Sequence, residues 1–524
     1  MDSPCLNLLD EPLIRIRDFS GKVQKVSLPE LFMQLGRDAV RDYPALRPHQ
    51  RHPWHALLVQ LAALALHEAD QTGHWHEVAE WRKALLALTP GHPNGCAFAL
   101  LTPHEKPAFL QAPVPGGKLD GWKRIETPDA LDMLVTSKNH DLKGARMRQV
   151  EADDWLFALV SLQTQEGFLG AGNYGISRMN GGFSSRPALG VAPAHGAGAR
   201  WRRDVAALLA ARRDIVETQG LQGDEGYTLL WLQPWDGMKS LAFGALDPFY
   251  IEICRRLRFV SDQDNRIWVQ GISTKVARID ASARKGVTGD AWTPVEEEKA
   301  LTLGADGFNY SLATELAWGS KYRKTVTQVL RPEDGTSGIA LLAQGVVRGQ
   351  GKTEGYHERR IPLTKKALGF LRSGDTNVPA TIAASRVKDV ATMRGSVLRT
   401  ALFYLLEAGT EKVDFERRTA KQQIETFVQA FEHAEDARFF DDLNLEIEAD
   451  DPHAERLAWL VALAERAEAV LRSAFVIGPQ CGERRYRARS RALSFFHGAL
   501  RGDKHFPALA LHLRRQPAAE EAAS

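Results

Sequence analysis

The chain from Asp375 to its end constrains the fold more than any other part, because it repeats apolar residues at helical spacing in four successive stretches. Amphipathic helices that follow one another with short connections favour an antiparallel bundle. We therefore predict a four-helix bundle over 375–524, with a frayed tail after Gln516. The four stretches cover 387–405, 424–431, 457–471 and 486–500.

Residues 1–374 mix strand and helix patterns. Alternating apolar residues on either side of a turn predict a β-hairpin over 13–26, and Pro53–His67, apolar almost all round, predicts a buried helix. Strands are predicted at Tyr227–Gln233 and Arg266–Gly271. Because 524 residues are enough for several cores, we predict an α+β protein: a large mixed α/β domain, 1–374, followed by the bundle.

A glycine-rich stretch, Gln163–Pro187, interrupts the first domain. Six of the sixteen residues from Gly167 to Gly182 are glycine, and no acidic residue follows Glu166 within the stretch. Tyr174 and Arg178 stand among these glycines. Such a stretch is either a solvated mobile loop or a surface that another molecule approaches closely, since glycine exposes the main chain. Its aromatic and arginine side chains favour the second interpretation.

Two further segments are basic and broken by glycine. Residues 274–294 carry Arg284 and Lys285, and residues 345–360 read as the tip of a hairpin. The sequence at 349–353, Gly-Gln-Gly-Lys-Thr, is similar to a phosphate-binding P-loop, but the required first glycine is replaced by Val346. An ATPase is therefore disfavoured.

No catalytic constellation stands out, although two charge runs lie in the predicted bundle. The acidic run, 432–455, has ten carboxylates against one arginine, and five arginines alternate over 484–491. With histidines such as His433 and His453, the acidic run leaves a metal-dependent nuclease as an alternative, but a solvated face is favoured. The arginines contact nucleic acid or an acidic partner, or they pair with the acidic run. Because residues at this spacing cannot share one helix face, some of them precede the helix or wrap around it.

Composition favours an ordinary globular protein of the cytoplasm. The formal net charge is only +2, so a nucleic-acid role must rest on local patches. No apolar run has membrane-spanning length, the N-terminus lacks signal-peptide features, and no membrane partner is expected. The cysteines are too far apart for a disulfide framework or a CxxC metal site: Cys5, Cys96, Cys254 and Cys481.

Several stretches together resemble a known family. They are the opening Leu6-Asn-Leu-Leu-Asp, Pro107–Gln111, the glycine-rich stretch, Gly289–Pro294 and the four-helix C-terminus. In these residues the chain resembles the CasA family, the large subunits of the type I-E CRISPR surveillance complex Cascade. The resemblance spans nearly the whole chain and implies a mixed α/β domain followed by a four-helix bundle.

The resemblance also implies a function without catalysis. A CasA-like subunit recognises the protospacer-adjacent motif on duplex DNA, starts unwinding and supports recruitment of a separate helicase–nuclease, while guide RNA reads the remaining sequence. The implied partners are double-stranded target DNA, the 5′ handle of the CRISPR guide RNA, the other Cascade subunits and the helicase–nuclease. No cofactor and no metal are implied.

The family's contact residues fall on four segments of this sequence. The DNA-contacting glycine loop falls on Gly167, Phe168, Gly170, Gly172 and Asn173, the lysine finger on Arg284 or Lys285, and the wedge tip on Arg348, Gln350 and Lys352, with Gln350 as the wedge. The loop that contacts RNA and neighbouring subunits falls on Lys138, Asn139, His140 and Lys143.

Two departures from the family limit the inference. Only Cys254 lies where some members carry a cysteine cluster, so no zinc site is expected, and the longer glycine stretch leaves the preferred DNA motif open. A metal-dependent nuclease and a purely structural scaffold remain the alternatives.

Overall fold

The computed structural model describes residues 6–133, 150–194, 196–349, 352–407 and 413–523, without the side chains of 352–354 and 516–523. The chain has the predicted α+β fold and divides into two compact units. Unit 1 comprises Met1–Phe308 and Ser320–Ile361, and unit 2 comprises Asn309–Gly319 and Pro362–Ser524.

Helices form the core of unit 1. Arg51–Glu68 is buried on nearly all sides, as its apolar composition predicted, and Trp201 donates from Nε1 to the carbonyl of Leu58, 3.2 Å away. The ring of Phe32 lies 4.9 Å from Trp81 and 5.6 Å from Trp201. Burying each such ring stabilises the unit by roughly 2–3 kcal/mol. The described helices are Leu28–Gly36, Arg51–Glu68, Val78–Ala87, Pro128–Leu131, Ala152–Gln165 and Ala197–Gln219.

Short strands complete unit 1. The predicted N-terminal hairpin is confirmed, with Ile14 opposite Val26 and Arg17 opposite Val23. The predicted hairpin near residue 350 is confirmed as well, and its first strand pairs antiparallel with Ala188–Ala192. The longer described strands are Ile14–Arg17, Val23–Val26, Lys123–Ile125, Ala188–Ala192, Tyr227–Leu229, Leu246–Ile251, Arg256–Ser261, Ile267–Ile272, Ala340–Gly349 and Lys352–Pro362. Two-residue strands are Leu241–Ala242, Ile279–Asp280, Val295–Glu296 and Lys299–Ala300.

Unit 2 is helical and contains the four predicted helices. The first consists of two α-helical parts joined by a π-helical segment, Met393–Leu398. A further helix follows the fourth, so residues 507–516, which carried no prediction, and residues 517–523 of the tail expected to fray are helical. The described helices are Tyr310–Trp318, Lys365–Ser373, Asn377–Thr392, Arg399–Leu406, Arg418–Glu448, Pro452–Ser473, Gly482–Arg501 and Pro507–Ala523.

The boundary predicted at Asp375 lies later than the division found in the structure. Lys366 donates from its backbone to Glu448, 2.8 Å away, so the helix Lys365–Ser373 belongs with the bundle. Tyr310 stacks on Phe439 at 4.8 Å, which brings a helix from the middle of the chain into the same unit. Both additions are joined to the bundle by contacts with residues far away in sequence.

None of the helices in the described ranges combines the length and the apolar character that crossing a bilayer requires.

Candidate nucleic-acid interface

The glycine-rich stretch begins at the end of a buried helix, Ala152–Gln165. Gln163, fully buried, accepts through Oε1 from the backbone N–H groups of Cys254 and Arg255, at 2.9 and 2.8 Å. Its Nε2 donates to the carbonyls of Leu110 and Arg255, at 2.9 and 3.0 Å. The amide thus fixes the point from which the stretch departs, because all its hydrogen bonds end on backbone groups of other segments.

Beyond Glu166 the chain folds back on itself in a closed loop. The N–H of Phe168 donates to the backbone carbonyl of Gly182 at 2.8 Å, and the N–H of Ile176 donates to the backbone carbonyl of Glu166 at 3.0 Å. At the tip, Asn173 donates to Gly170 at 3.0 Å. The stretch is therefore an ordered loop with internal hydrogen bonds rather than an open linker.

Three glycines of this loop serve three different purposes. A Cβ on Gly167 would clash with the carbonyl oxygen of Ser184, so this position is packed. Gly172 has φ +84° and its Cβ would lie 2.6 Å from that of Ser273. Gly170 has φ +107° and open space where a Cβ would stand. At Gly167 and Gly172 the fold itself therefore requires glycine, whereas the close approach of another molecule to this loop stays a prediction.

The loop forms one wall of a cavity of about 680 Å³. Of the predicted loop residues, Phe168 lines the cavity, and Tyr174 follows from the same stretch. Lys275, Asp280 and Lys285 line it from the basic segment. Two segments that are a hundred residues apart in sequence, each predicted to contact DNA, therefore meet in one cavity.

Lys285, rather than Arg284, presents a cation at this cavity. Lys285 is exposed, with φ +49°, at the end of a short 3₁₀ turn. Arg284 is held by its own chain: Nη2 donates to the carbonyl of Gln219 at 3.0 Å, and its guanidinium lies 3.8 Å from the ring centre of Phe243. Lys275, which was not among the predicted site residues, is a second exposed cation; its place in the same basic segment was the available signal.

Arg178, an arginine of the glycine stretch, is buried and is not among the residues that line the cavity. Its guanidinium lies 3.7 Å from the ring centre of Tyr250 and donates to that residue's carbonyl at 2.7 Å. It also faces Glu252 at 3.4 Å. Burial raises the pKa of Glu252, and burial likewise raises the pKa of Tyr250 to about 12. Arg178 therefore joins the glycine stretch to the strand Leu246–Ile251.

The hairpin strand Ala340–Gly349 runs beside the end of the glycine stretch. Ser185 donates from N to the carbonyl of Val346 at 3.2 Å and accepts through Oγ from the N–H of Val346 at 2.8 Å. Arg348 forms a buried ion pair with Glu166. Burial raises the pKa of Glu166, against the opposing field of Arg348.

The placement of Arg348 corrects one expectation. Arg348 was predicted to hold a phosphate at the hairpin tip, but its side chain is 2% exposed and paired with a carboxylate. It links the hairpin to the glycine stretch. Gln350 and the side chain of Lys352 lie outside the described residues, as do Lys138, Asn139, His140 and Lys143.

The acidic run of unit 2 is occupied by ion pairs. Arg466 binds Glu435 with two hydrogen bonds, at 2.7 and 2.8 Å, and Glu446 pairs with Arg386 at 2.5 Å. Glu432 pairs with Arg394 at 2.7 Å. These three carboxylates are thus paired with arginines of other helical segments. In the parts of the chain that the structure describes, no group of three or more His, Cys, Asp or Glu side chains is arranged to hold a metal ion.

The alternating arginines all lie within one helix, Gly482–Arg501, so none precedes it. Arg487 pairs with Glu483 of its own helix at 3.0 Å. Arg489 lies over the ring of Phe475, 4.9 Å from its centre, and Arg491 over Tyr404 at 5.6 Å. These contacts wrap the arginines around the helix instead of concentrating them on one face.

Comparison with known proteins identifies the fold. No protein-family model matches the chain, and no curated protein matches it. Several solved structures match almost the whole chain, and three of them illustrate the likeness. Thermus thermophilus CasA (Cse1) is 15% identical with a TM-score of 0.62 and covers 94% of this chain and 98% of its own. Cse1 from Acidimicrobium ferrooxidans is 17% identical, with a TM-score of 0.64 and coverage of 95% and 98%.

Thermobifida fusca Cse1 is 14% identical, with a TM-score of 0.62, and covers 96% of this chain and 99% of its own. The chain therefore has the CasA (Cse1) fold along nearly its full length. At this level of sequence identity the likeness establishes the fold, and the activity must be argued from the residues of the site.

Proposed function

We propose that this chain is the large subunit of a type I-E CRISPR surveillance complex, a cytoplasmic assembly in which it recognises the protospacer-adjacent motif of duplex DNA. One observation carries the proposal: in a chain with the CasA fold, Phe168 and later residues of the glycine-rich stretch line the same cavity as Lys285. A loop with exposed main chain and slender side chains suits a narrow groove, and exposed lysines suit the adjacent phosphates.

The chain acts without chemistry of its own. It reads a few base pairs, the guide RNA reads the remaining sequence, and a separate helicase–nuclease is recruited to the opened strand. Lys275 and Lys285 supply cations at the cavity, where Asp280 is the carboxylate in its lining. We place the glycine loop residues Gly167–Asn173, Lys285 and the hairpin tip with Gln350 against DNA, and the segment containing Lys138 and Lys143 against the guide RNA and neighbouring subunits.

The test is a duplex-binding experiment with the chain alone and within the complex assembled with guide RNA. A labelled duplex that carries the target and varied flanking motifs is incubated with each, with and without magnesium or manganese. We expect target binding by the complex that depends on the flanking motif, and no cleavage by the chain. Metal-dependent cleavage by the chain would establish a nuclease instead. Flank-independent binding by the complex would contradict motif recognition, and no binding even within the complex would favour a purely structural scaffold.

A further inference from the structure

A second cavity of unit 1, of about 560 Å³, lies apart from the glycine loop, and five arginines line it. They come from separate segments of the chain: Arg17 ends a strand, Arg41 follows in a loop, and Arg51 begins a helix. Arg200 lies in the first turn of the helix Ala197–Gln219, and Arg360 lies on the hairpin strand Lys352–Pro362. Asp42 is the acidic residue in the lining.

The described carboxylates leave these arginines incompletely paired. Every ion pair found for them is long: Arg17–Asp42 at 3.5 Å and Arg41–Asp42 at 3.6 Å. Arg51 stands 3.7 Å from Glu358, and Arg200 stands 3.9 Å from Asp204. By contrast, Arg203 in the same helix as Arg200 binds Asp334 at 2.7 Å. Guanidinium groups that bind carboxylates well do so at about 2.7–2.9 Å.

Arg200 is the most telling member of the group. Its side chain is only 15% exposed, and its Nε is buried without a hydrogen-bond partner among the described residues. Burial lowers the pKa of Arg200, and this cost outweighs the attraction of Asp204. A buried guanidinium donor without an acceptor costs free energy that a bound anion would recover.

Neighbouring groups do not cancel this positive charge. Asp204 is already bound by His55, whose Nε2 lies 2.8 Å from the carboxylate, and by Arg203 at 3.1 Å. Burial lowers the pKa of His55, which lines the cavity, so its ring is neutral near pH 7. The helix that carries Arg200 also begins at the cavity, with Gly196 and Ala197 in the lining. The amino end of a helix favours an anion.

We infer that this cavity binds a small, multiply charged phosphate anion of nucleoside-phosphate size. Arginine binds phosphate through paired N–H donors, and five such groups around one cavity exceed the charge of its single lining carboxylate. The volume lies within the range of small-molecule sites, about 300–1,000 Å³. Half-buried Tyr43 lines the same cavity and provides an aromatic wall for a base or sugar. The inference is independent of DNA recognition at the glycine loop.

Isothermal titration of the full chain with ATP, pyrophosphate and adenosine, without magnesium, tests the inference. ATP and pyrophosphate should bind with one-to-one stoichiometry, whereas adenosine, which lacks phosphate, should not. Arg41→Ala and Arg360→Ala remove exposed cations and should each weaken ATP binding about tenfold. Arg213→Ala is the matched control, since Arg213 is 91% exposed, lies on the same helix as Arg200 and pairs with Glu217.

The outcomes separate a built site from general electrostatic attraction. Absence of ATP and pyrophosphate binding at millimolar concentration would overturn the inference, as would equal weakening by Arg213→Ala and Arg360→Ala. Binding that neither Arg41→Ala nor Arg360→Ala changes would also overturn it. A 5′-phosphorylated dinucleotide identifies the source of the phosphate: tighter binding than ATP assigns the cavity to a strand end, and weaker binding assigns it to a free nucleotide.

Discussion

Lys285 places an exposed ammonium at the cavity beside the glycine loop, whereas Arg284 is held by Gln219 and Phe243. If Lys285 contacts a DNA phosphate, Lys285→Ala should weaken binding of the assembled complex to target duplex. The slope of log affinity against log salt should fall by about 1, because one counterion fewer is released. The measurement is a salt series of duplex-binding isotherms.

Lys22→Ala controls for the loss of one positive charge, since Lys22 is exposed in the N-terminal hairpin and does not line the cavity. It should leave the slope unchanged. An unchanged slope for Lys285→Ala as well would show that this lysine makes no phosphate contact.

Substitutions of Gly170 and Gly172 distinguish a glycine that the fold requires from a glycine that ligand binding requires. Both have positive φ, so alanine is strained at either position by about 1 kcal/mol. Gly172→Ala should destabilise the chain more than Gly170→Ala, because its Cβ would also lie 2.6 Å from Ser273. Denaturant unfolding measures both changes, and Gly73→Ala, with open space around it, serves as the neutral control.

Duplex binding by the assembled complex then tests whether DNA approaches Gly170 closely. Gly170→Ala should reduce binding, since its Cβ points into open space that the DNA would fill. Full binding by this variant would mean that Gly170 serves only its backbone conformation.

At the residue scale, the sequence could predict which segments carry the site but not which side chains face it. Arg348 and Arg178 are arginines in glycine-rich segments, where phosphate contacts are expected, yet both are buried against carboxylates. Glu166 stands 182 positions from Arg348. Pairing over such a distance depends on the folded chain, and no local pattern indicates it.

At the element scale, helical periodicity predicted the four helices of unit 2 because each buries an apolar stripe. It could not predict that Tyr310–Trp318 joins them, since nine residues between loops carry too little pattern. The spacing of the arginines over 484–491 left two alternatives, that some precede the helix or that they wrap around it. The structure confirms the second, with Arg489 and Arg491 against aromatic rings.

The hairpin provides a prediction at this scale. Arg348 and Val346 tie its first strand to the glycine stretch, so the tip that contains Gln350 follows directly from an anchored strand. We propose that Gln350 fills the space left when the base pairs beside the motif separate, and unstacking one step costs roughly a few kcal/mol. Gln350→Ala should therefore slow R-loop formation on linear duplex.

Supercoiled substrates distinguish unwinding from affinity. The defect of Gln350→Ala should shrink on negatively supercoiled DNA, or on a target with mismatches beside the motif, because part of the unwinding is then supplied. Gln222→Ala, an exposed glutamine of the same unit, should behave as wild type on every substrate. Equal loss on paired and pre-opened targets would remove the wedge role from Gln350.

At the scale of the whole molecule, the α+β class could be predicted because each unit has its own pattern: short alternating strands in one and long amphipathic helices in the other. The boundary could not, because Lys365–Ser373 joins the bundle through Lys366 and Glu448, a contact between segments 82 residues apart. Similarity to CasA structures at 14–17% identity shows how far the fold persists without a shared signature.

Acid stability of unit 1 follows from two buried histidines. Burial lowers the pKa of His52 well below its usual value and also lowers that of His55. Below about pH 6.5 the unfolded chain therefore binds protons that the folded chain does not, so the free energy of unfolding falls as pH decreases and is unaffected above about pH 7.5. Each such histidine contributes a slope of at most about 1.4 kcal/mol per pH unit.

His52→Leu should lower the number of protons taken up on unfolding by about one, and the slope falls with it, because leucine has a similar volume and does not titrate. Neither ring nitrogen of His52 has a hydrogen-bond partner among the described residues, so the variant sacrifices no polar contact found there. Tryptophan fluorescence during urea unfolding between pH 7.5 and 5.5 measures the effect in unit 1, since all but Trp318 and Trp459 of the twelve tryptophans lie there. His67→Leu, at the exposed end of the same helix, controls for loss of a histidine as such. If His52→Leu leaves the slope unchanged, His52 has the same pKa in the folded and unfolded chain. The acid sensitivity would then belong to other groups.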